Sequence, residues 1–187
     1  KYYDYSNATM VFLKPGEVFR MRKNNTLPDK GYLLIFHPDL LFRTTLKKHI
    51  KNYTFFHYGK EEALHLSKRE TEKITCCLWN IEEELHHSST ILSRHIELLL
   101  DYCTRYYERQ FITREDKNKT ILVKMEKLLD GYIDSGQLGN AVLPTPEYCA
   151  AYLHLSVPYF NDLLKFETGK TLDEYFQLKR LEAAKRM

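Results

Sequence analysis

The stretch Pro144-Thr-Pro-Glu-Tyr-Cys-Ala-Ala-Tyr-Leu-His-Leu-Ser-Val-Pro-Tyr-Phe-Asn-Asp-Leu-Leu-Lys-Phe-Glu-Thr-Gly169 reads as two short helices joined by a tight turn. Thr145 is placed to cap the first helix, and Pro146 falls at its first position, where a missing N–H leaves no bond unmade. Ala150, Ala151 and Leu153 give that helix small and apolar contacts. Ser156 then caps a second helix, in which Phe160, Leu163 and Leu164 recur at helical spacing and must face the first. Gly169 closes it at the position that accepts a left-handed backbone. This spacing leaves Tyr159, Asn161, Asp162 and Lys165 on the outer face.

The run from Leu155-Ser-Val-Pro-Tyr-Phe160 through Phe166-Glu-Thr-Gly-Lys-Thr-Leu-Asp-Glu-Tyr-Phe176 resembles the first helix-turn-helix of AraC-family transcriptional regulators. In that family a Leu-Ser-x-x-Tyr-Leu opening precedes a Glu-Thr-Gly-Lys-Ser/Thr turn and an aromatic-bearing linker helix. The match falls on Leu155, Ser156, Tyr159, Glu167, Thr168, Gly169, Lys170, Thr171 and Tyr175, and the sequence continues as Leu178-Lys-Arg-Leu-Glu-Ala-Ala-Lys185. Family members carry a second helix-turn-helix beyond the linker helix, whereas this sequence stops at Met187 and opens on Lys1 without an initiator Met. The expectation is therefore one half of a two-part reader, in a chain shortened at both ends.

Charge is unevenly spread along the 187 residues. Residues 1–60 carry 11 Lys/Arg against 4 Asp/Glu, a net +7. Residues 61–143 carry 11 against 15, a net −4, and residues 144–187 carry 6 against 6. The hairpin segment is thus neutral, which weakens phosphate-driven binding by that segment alone. No apolar run approaches the roughly 20 residues of a membrane helix, so no membrane partner is expected. The four cysteines (Cys76, Cys77, Cys103, Cys149) lack CxxC spacing and read as reduced thiols of a cytoplasmic protein.

Outward from the hairpin, the pattern is helical back to about residue 67 and strand-like before it. Thr9–Leu13, Val18–Met21, Tyr32–Phe36 and Tyr53–Tyr58 are short apolar or aromatic runs, punctuated by Lys14-Pro-Gly-Glu17, the loop Asn24–Gly31 and His37-Pro38. Helices are predicted over Ser67–His87, Ser89–Phe111 and Thr120–Ser135, with a polar break at Thr113–Asn118 and a connector at Ser135–Asn140. The expected fold is α+β. Residues 1–66 form a partial β-barrel that the resemblance makes a cupin-like, effector-sensing one. Residues 67–112 form a helical pair that the resemblance makes a dimerisation hairpin. Residues 113–143 provide a connecting helix and linker, and residues 144–187 an all-α helix-turn-helix with its linker helix.

The resemblance implies a sequence-specific, double-stranded-DNA-binding regulator that answers to a small-molecule effector and works as a homodimer through Ser89–Phe111. The DNA-contacting set would be Ser156, Val157, Pro158, Tyr159, Asn161, Asp162, Lys165 and Lys170. Asn161 suits a bidentate contact to adenine, Lys165 suits a phosphate, and Ser156 with the free N–H groups of the helix start suits another phosphate. Asp162 departs from the basic or small residue usual there; it repels phosphate and suits only a cytosine amino group. Tyr32, Phe36, Phe55 and Tyr58 are the candidate effector-lining residues of the barrel. The basic side chains Arg20, Arg22, Lys23, Lys30, Arg43, Lys47, Lys48 and Lys51 offer a second attraction for anions.

No enzyme is expected. His37, His49 and His57 lack the His-x-His spacing of metal-holding cupins, and His86 and His87, one turn from Glu82 and Glu83, read as a solvated face rather than a metal site. No metal or cofactor is expected. The competing reading is a non-enzymatic ligand-binding or protein-interaction module whose helix-turn-helix is degenerate and no longer binds DNA. The neutral charge of residues 144–187 and Asp162 favour it.

Overall fold

Helices supply nearly all the regular structure of the computed structural model, which describes residues 7–18, 31–134 and 144–186. They are α1 (Leu46–His49), α2 (Lys68–Glu83), α3 (Ser89–Thr113), α4 (Glu115–Asp134), α5 (Pro146–Leu153), α6 (Val157–Thr168) and α7 (Leu172–Arg186). Among the described residues the strands are β1 (Ala8–Met10) and β2 (Leu64–Leu66), paired antiparallel with Thr9 opposite His65. The fold-class expectation of a cupin-like barrel is overturned. Two strands of three residues form a ribbon, and closing a barrel needs several strands with matched tilt and stagger.

The strand-like runs failed for a physical reason. Tyr53–Tyr58 is largely a tight 3-10 turn over Thr54–His57, held by side chains rather than by a ladder. Tyr53 donates its hydroxyl to Asp101 of α3 at 2.7 Å, and Phe55 stacks on Tyr107 of α3 with ring centroids 5.5 Å apart. Tyr32–Phe36 alternates, with Leu34 and Phe36 turned onto the core, but among the described residues it pairs with no strand. Alternation reports one buried face, and a strand ladder is not required to bury it. The expected strand Val18–Met21, the loop Asn24–Gly31 and the connector Ser135–Asn140 fall wholly or mostly outside the described residues.

The helical predictions fare better, with shifted ends. Ser67 and Glu70 form a reciprocal capping box at the start of α2, and Arg109 of α3 reaches back to bond both oxygens of Glu70 at 3.0 Å. The expected polar break at Thr113–Asn118 is a single-residue elbow at Arg114. Asn118 is buried there because it has work to do: its amide donates to the Phe111 carbonyl, an end group of α3 without an intrahelical partner.

Two apolar cores result. The first gathers the N-terminal segment, α2 and α3 around Leu46, Leu64, Ile96, Leu99 and Cys103. The second gathers α4, α5, α6 and α7 around Met125, Leu129, Phe160, Leu164 and Phe176. The helix at 115–134, expected as a connector, is thus a wall of the second core. Between the two lies a small cluster of Phe111, Tyr159 and Leu163, with Tyr58 packed against it. The first core defines an N-terminal lobe and the second a C-terminal lobe.

Candidate nucleic-acid interface

The hairpin folds as its sequence demands. Thr145 accepts from the Tyr148 N–H at 3.2 Å, with Pro146 in the first turn of α5. His154 ends α5 in the left-handed region, with φ 56°. The Leu155 N–H reaches the Ala150 carbonyl at 2.9 Å and the His154 N–H reaches that of Ala151 at 3.2 Å, the paired bonds of a Schellman end. Ser156 caps α6, and Gly169 closes it at φ 70°. Phe160 and Leu164 fill the second core, as their spacing required.

The outer face is divided in two. Asn161 and Lys165, one turn apart, are exposed. Tyr159 and Asp162 are not free to meet an outside partner, against expectation. Tyr159 is only 4% exposed, its ring 5.1 Å edge-on from Tyr58 and 5.4 Å from Phe111. Asp162 is half-buried and accepts the Tyr58 hydroxyl at 2.7 Å. The physical reason is one of spacing: positions 159, 162 and 166 share a stripe of α6, and that stripe lies against the N-terminal lobe, with Phe166 against Phe111 at 5.4 Å. Val157 and Pro158 are half-buried, Val157 against the second core, and Lys170 is half-buried beyond the helix end.

Ser156 is occupied as well. Its N–H donates to Glu62 Oε1 at 2.7 Å and its hydroxyl to Glu62 Oε2, while the Gly59 N–H bonds the same carboxylate. Glu62 is 5% exposed. A side-chain anion of the N-terminal lobe therefore sits where the sequence reading placed a phosphate. Asn118 of α4 donates to Glu167 Oε1 of α6 at 2.8 Å, a tie inside the C-terminal lobe, and burial together with the Asp162 charge pushes the Tyr58 hydroxyl far above its ordinary pKa. Tyr58 is accordingly a protonated donor to Asp162, as the 2.7 Å contact requires.

Sequence reasoning missed Glu62 and Asn118. A signal for Glu62 was present. Ser67-x-x-Glu70 and Thr171-x-x-Glu174 carry a local carboxylate for the cap residue, whereas Ser156-x-x-Tyr159 does not. The α6 cap had to find its acceptor elsewhere.

The other expected sites disperse. Tyr32 is 60% exposed and accepts from the Trp79 indole at 3.2 Å, Phe36 leans on the first core, Phe55 is inside it, and Tyr58 stands at the lobe contact. No barrel is formed among the described residues to align these four. Of the basic cluster, Arg43, Lys47 and Lys48 line one concavity with Thr44 and Thr45, and Arg43 and Lys47 lie over the Phe42 ring. Arg20, Arg22, Lys23 and Lys30 lie outside the described residues. No group of three or more His, Cys, Asp or Glu among the described residues is placed to hold a metal, and no described helix is long and apolar enough to cross a membrane. Compared with known proteins, the chain matches no family model, no curated protein and no solved structure.

Proposed function

We propose that this chain is a cytoplasmic, sequence-specific DNA-binding transcription regulator of the AraC type, reading DNA through α6. The observation that carries the reading is the hairpin itself. α5 and α6 have the caps and the tight left-handed turn of a helix-turn-helix, and α6 presents Asn161 and Lys165 together on its open side. An amide and an ammonium one helical turn apart suit an adenine edge and a phosphate within one major groove. The family resemblance over Leu155–Lys185 supports the same reading. Selection of bound fragments from sheared genomic DNA tests it. A recurring motif should emerge, Asn161→Ala should relax one base position by about 1–3 kcal/mol, and the absence of any enriched motif would defeat the reading.

The regulator works as a homodimer along α3 in this proposal. Ile91, Leu98 and Ile112 are exposed there and fall on one stripe at seven-residue multiples, while the opposite stripe of the helix is buried in the first core. Leu98→Glu should convert a dimer to a monomer in light scattering. A small-molecule effector, bound by the N-terminal lobe, acts by preferring one arrangement of the lobes over the other.

A second reading, a protein-interaction module that does not bind DNA, is favoured by one observation: Tyr159 and Asp162 are engaged internally. Salt-independent retention of DNA, or none at all, separates it from the first.

A further inference from the structure

We propose that the contact of Glu62 and Tyr58 with the first turn of α6 is an autoinhibitory latch, in which Glu62 stands in for a DNA phosphate and holds the reading helix shut against the N-terminal lobe. The proposal rests on α6 being the reading helix. In a helix-turn-helix the first residues of that helix reach the base edges, and the helix start receives a phosphate. Both places are taken here. The Glu62 carboxylate receives the Ser156 N–H and hydroxyl, the two donors that a backbone phosphate would use. Tyr58 caps Asp162 and covers Tyr159. A major groove is roughly as wide as one helix with its side chains, so a helix whose leading turn is covered by protein cannot enter it.

The latch also accounts for Asp162. Facing a phosphate it is repulsive; facing Tyr58 it is an acceptor for a half-buried hydroxyl at 2.7 Å. Opening breaks the hydrogen bonds and aromatic contacts of the leading turn and loosens the small cluster around Leu163, and leaves the apolar fillings Leu99 and Phe160 in their separate cores. Asn118–Glu167 lies within the C-terminal lobe, and the Phe111–Phe166 contact, beside the elbow at Arg114 and at the far end of α6, can be retained as the leading turn swings away.

The test uses the whole chain and sheared double-stranded DNA at low salt, read by fluorescence anisotropy, with amide exchange of α6 measured alongside. Glu62→Gln keeps the volume and removes the charge. Tyr58→Phe removes one oxygen and leaves the ring packing. Each variant is expected to bind DNA about tenfold tighter than the unchanged chain, with faster exchange in α6, and Lys165→Ala added to either should abolish the gain. Unaltered DNA affinity in both variants, with the unchanged chain binding, overturns the latch and leaves the DNA reading standing. Absence of DNA binding in all of them, with α6 exchange accelerated, overturns the DNA reading and the latch's role together.

Discussion

Ser67 at the start of α2 and Ser156 at the start of α6 occupy equivalent positions, and each gives its backbone N–H to a glutamate carboxylate. For α2 the acceptor is Glu70, three residues away; for α6 it is Glu62, 94 residues away in the other lobe. Thr171 of α7 follows the local pattern, with Glu174 accepting at 2.8 Å. A local box forms and breaks with its own helix. A remote one ties the helix end to the relative placement of two lobes, so α6 alone among these three is sensitive to how the cores sit. That is the arrangement expected of an element whose exposure is regulated, and it is unnecessary for one that only completes a core.

The contrast can be broken by removing each carboxylate. Glu62→Ala leaves three partly buried donors without their acceptor, and should cost about 2–3 kcal/mol in urea unfolding, with amide protection lost at the start of α6. Glu70→Ala removes a capping partner and the half-buried pair with Arg109, and should cost about 1–2 kcal/mol. Its exchange changes should stay within α2 and α3. If Glu70→Ala loosens α6 as much as Glu62→Ala does, the local-versus-remote distinction fails. The smallest effect concerns the turn between α5 and α6. Replacing His154, held at φ 56°, with glycine should raise stability by about 0.5–1 kcal/mol in the same unfolding assay. Such a gain leaves the lobe contact untouched and so separates hairpin stability from latch stability.

What the sequence disclosed follows how local each cause is. Caps, turn glycine and the Phe160/Leu164 stripe are set within a few residues, and the hairpin was legible down to Thr145, Ser156 and Gly169. Lobe packing is not local. Tyr53, Phe55 and Tyr58 have strand composition, yet their partners are Asp101, Tyr107 and Asp162 on helices far along the chain. Aromatic alternation specifies a buried face without saying whether a strand or a helix buries it, and this cost the barrel expectation. The same gap affected α6: spacing separates its core side, Phe160 and Leu164, from the rest, but not the part of the rest that a second lobe covers. Tyr159 and Asp162 went to that lobe, leaving Asn161 and Lys165 outside. Glu62 was hidden for a simpler reason. It lies in an acidic pair, Glu61-Glu62, whose members look alike until one is buried.

The account turns on α6 meeting DNA through Lys165 on its open face. The most direct measurement is the slope of log affinity against log salt for Glu62→Gln with duplex DNA, with and without Lys165→Ala. The account predicts a negative slope that becomes shallower by about one when Lys165 is removed. A slope indifferent to Lys165, or no slope at all, would contradict it.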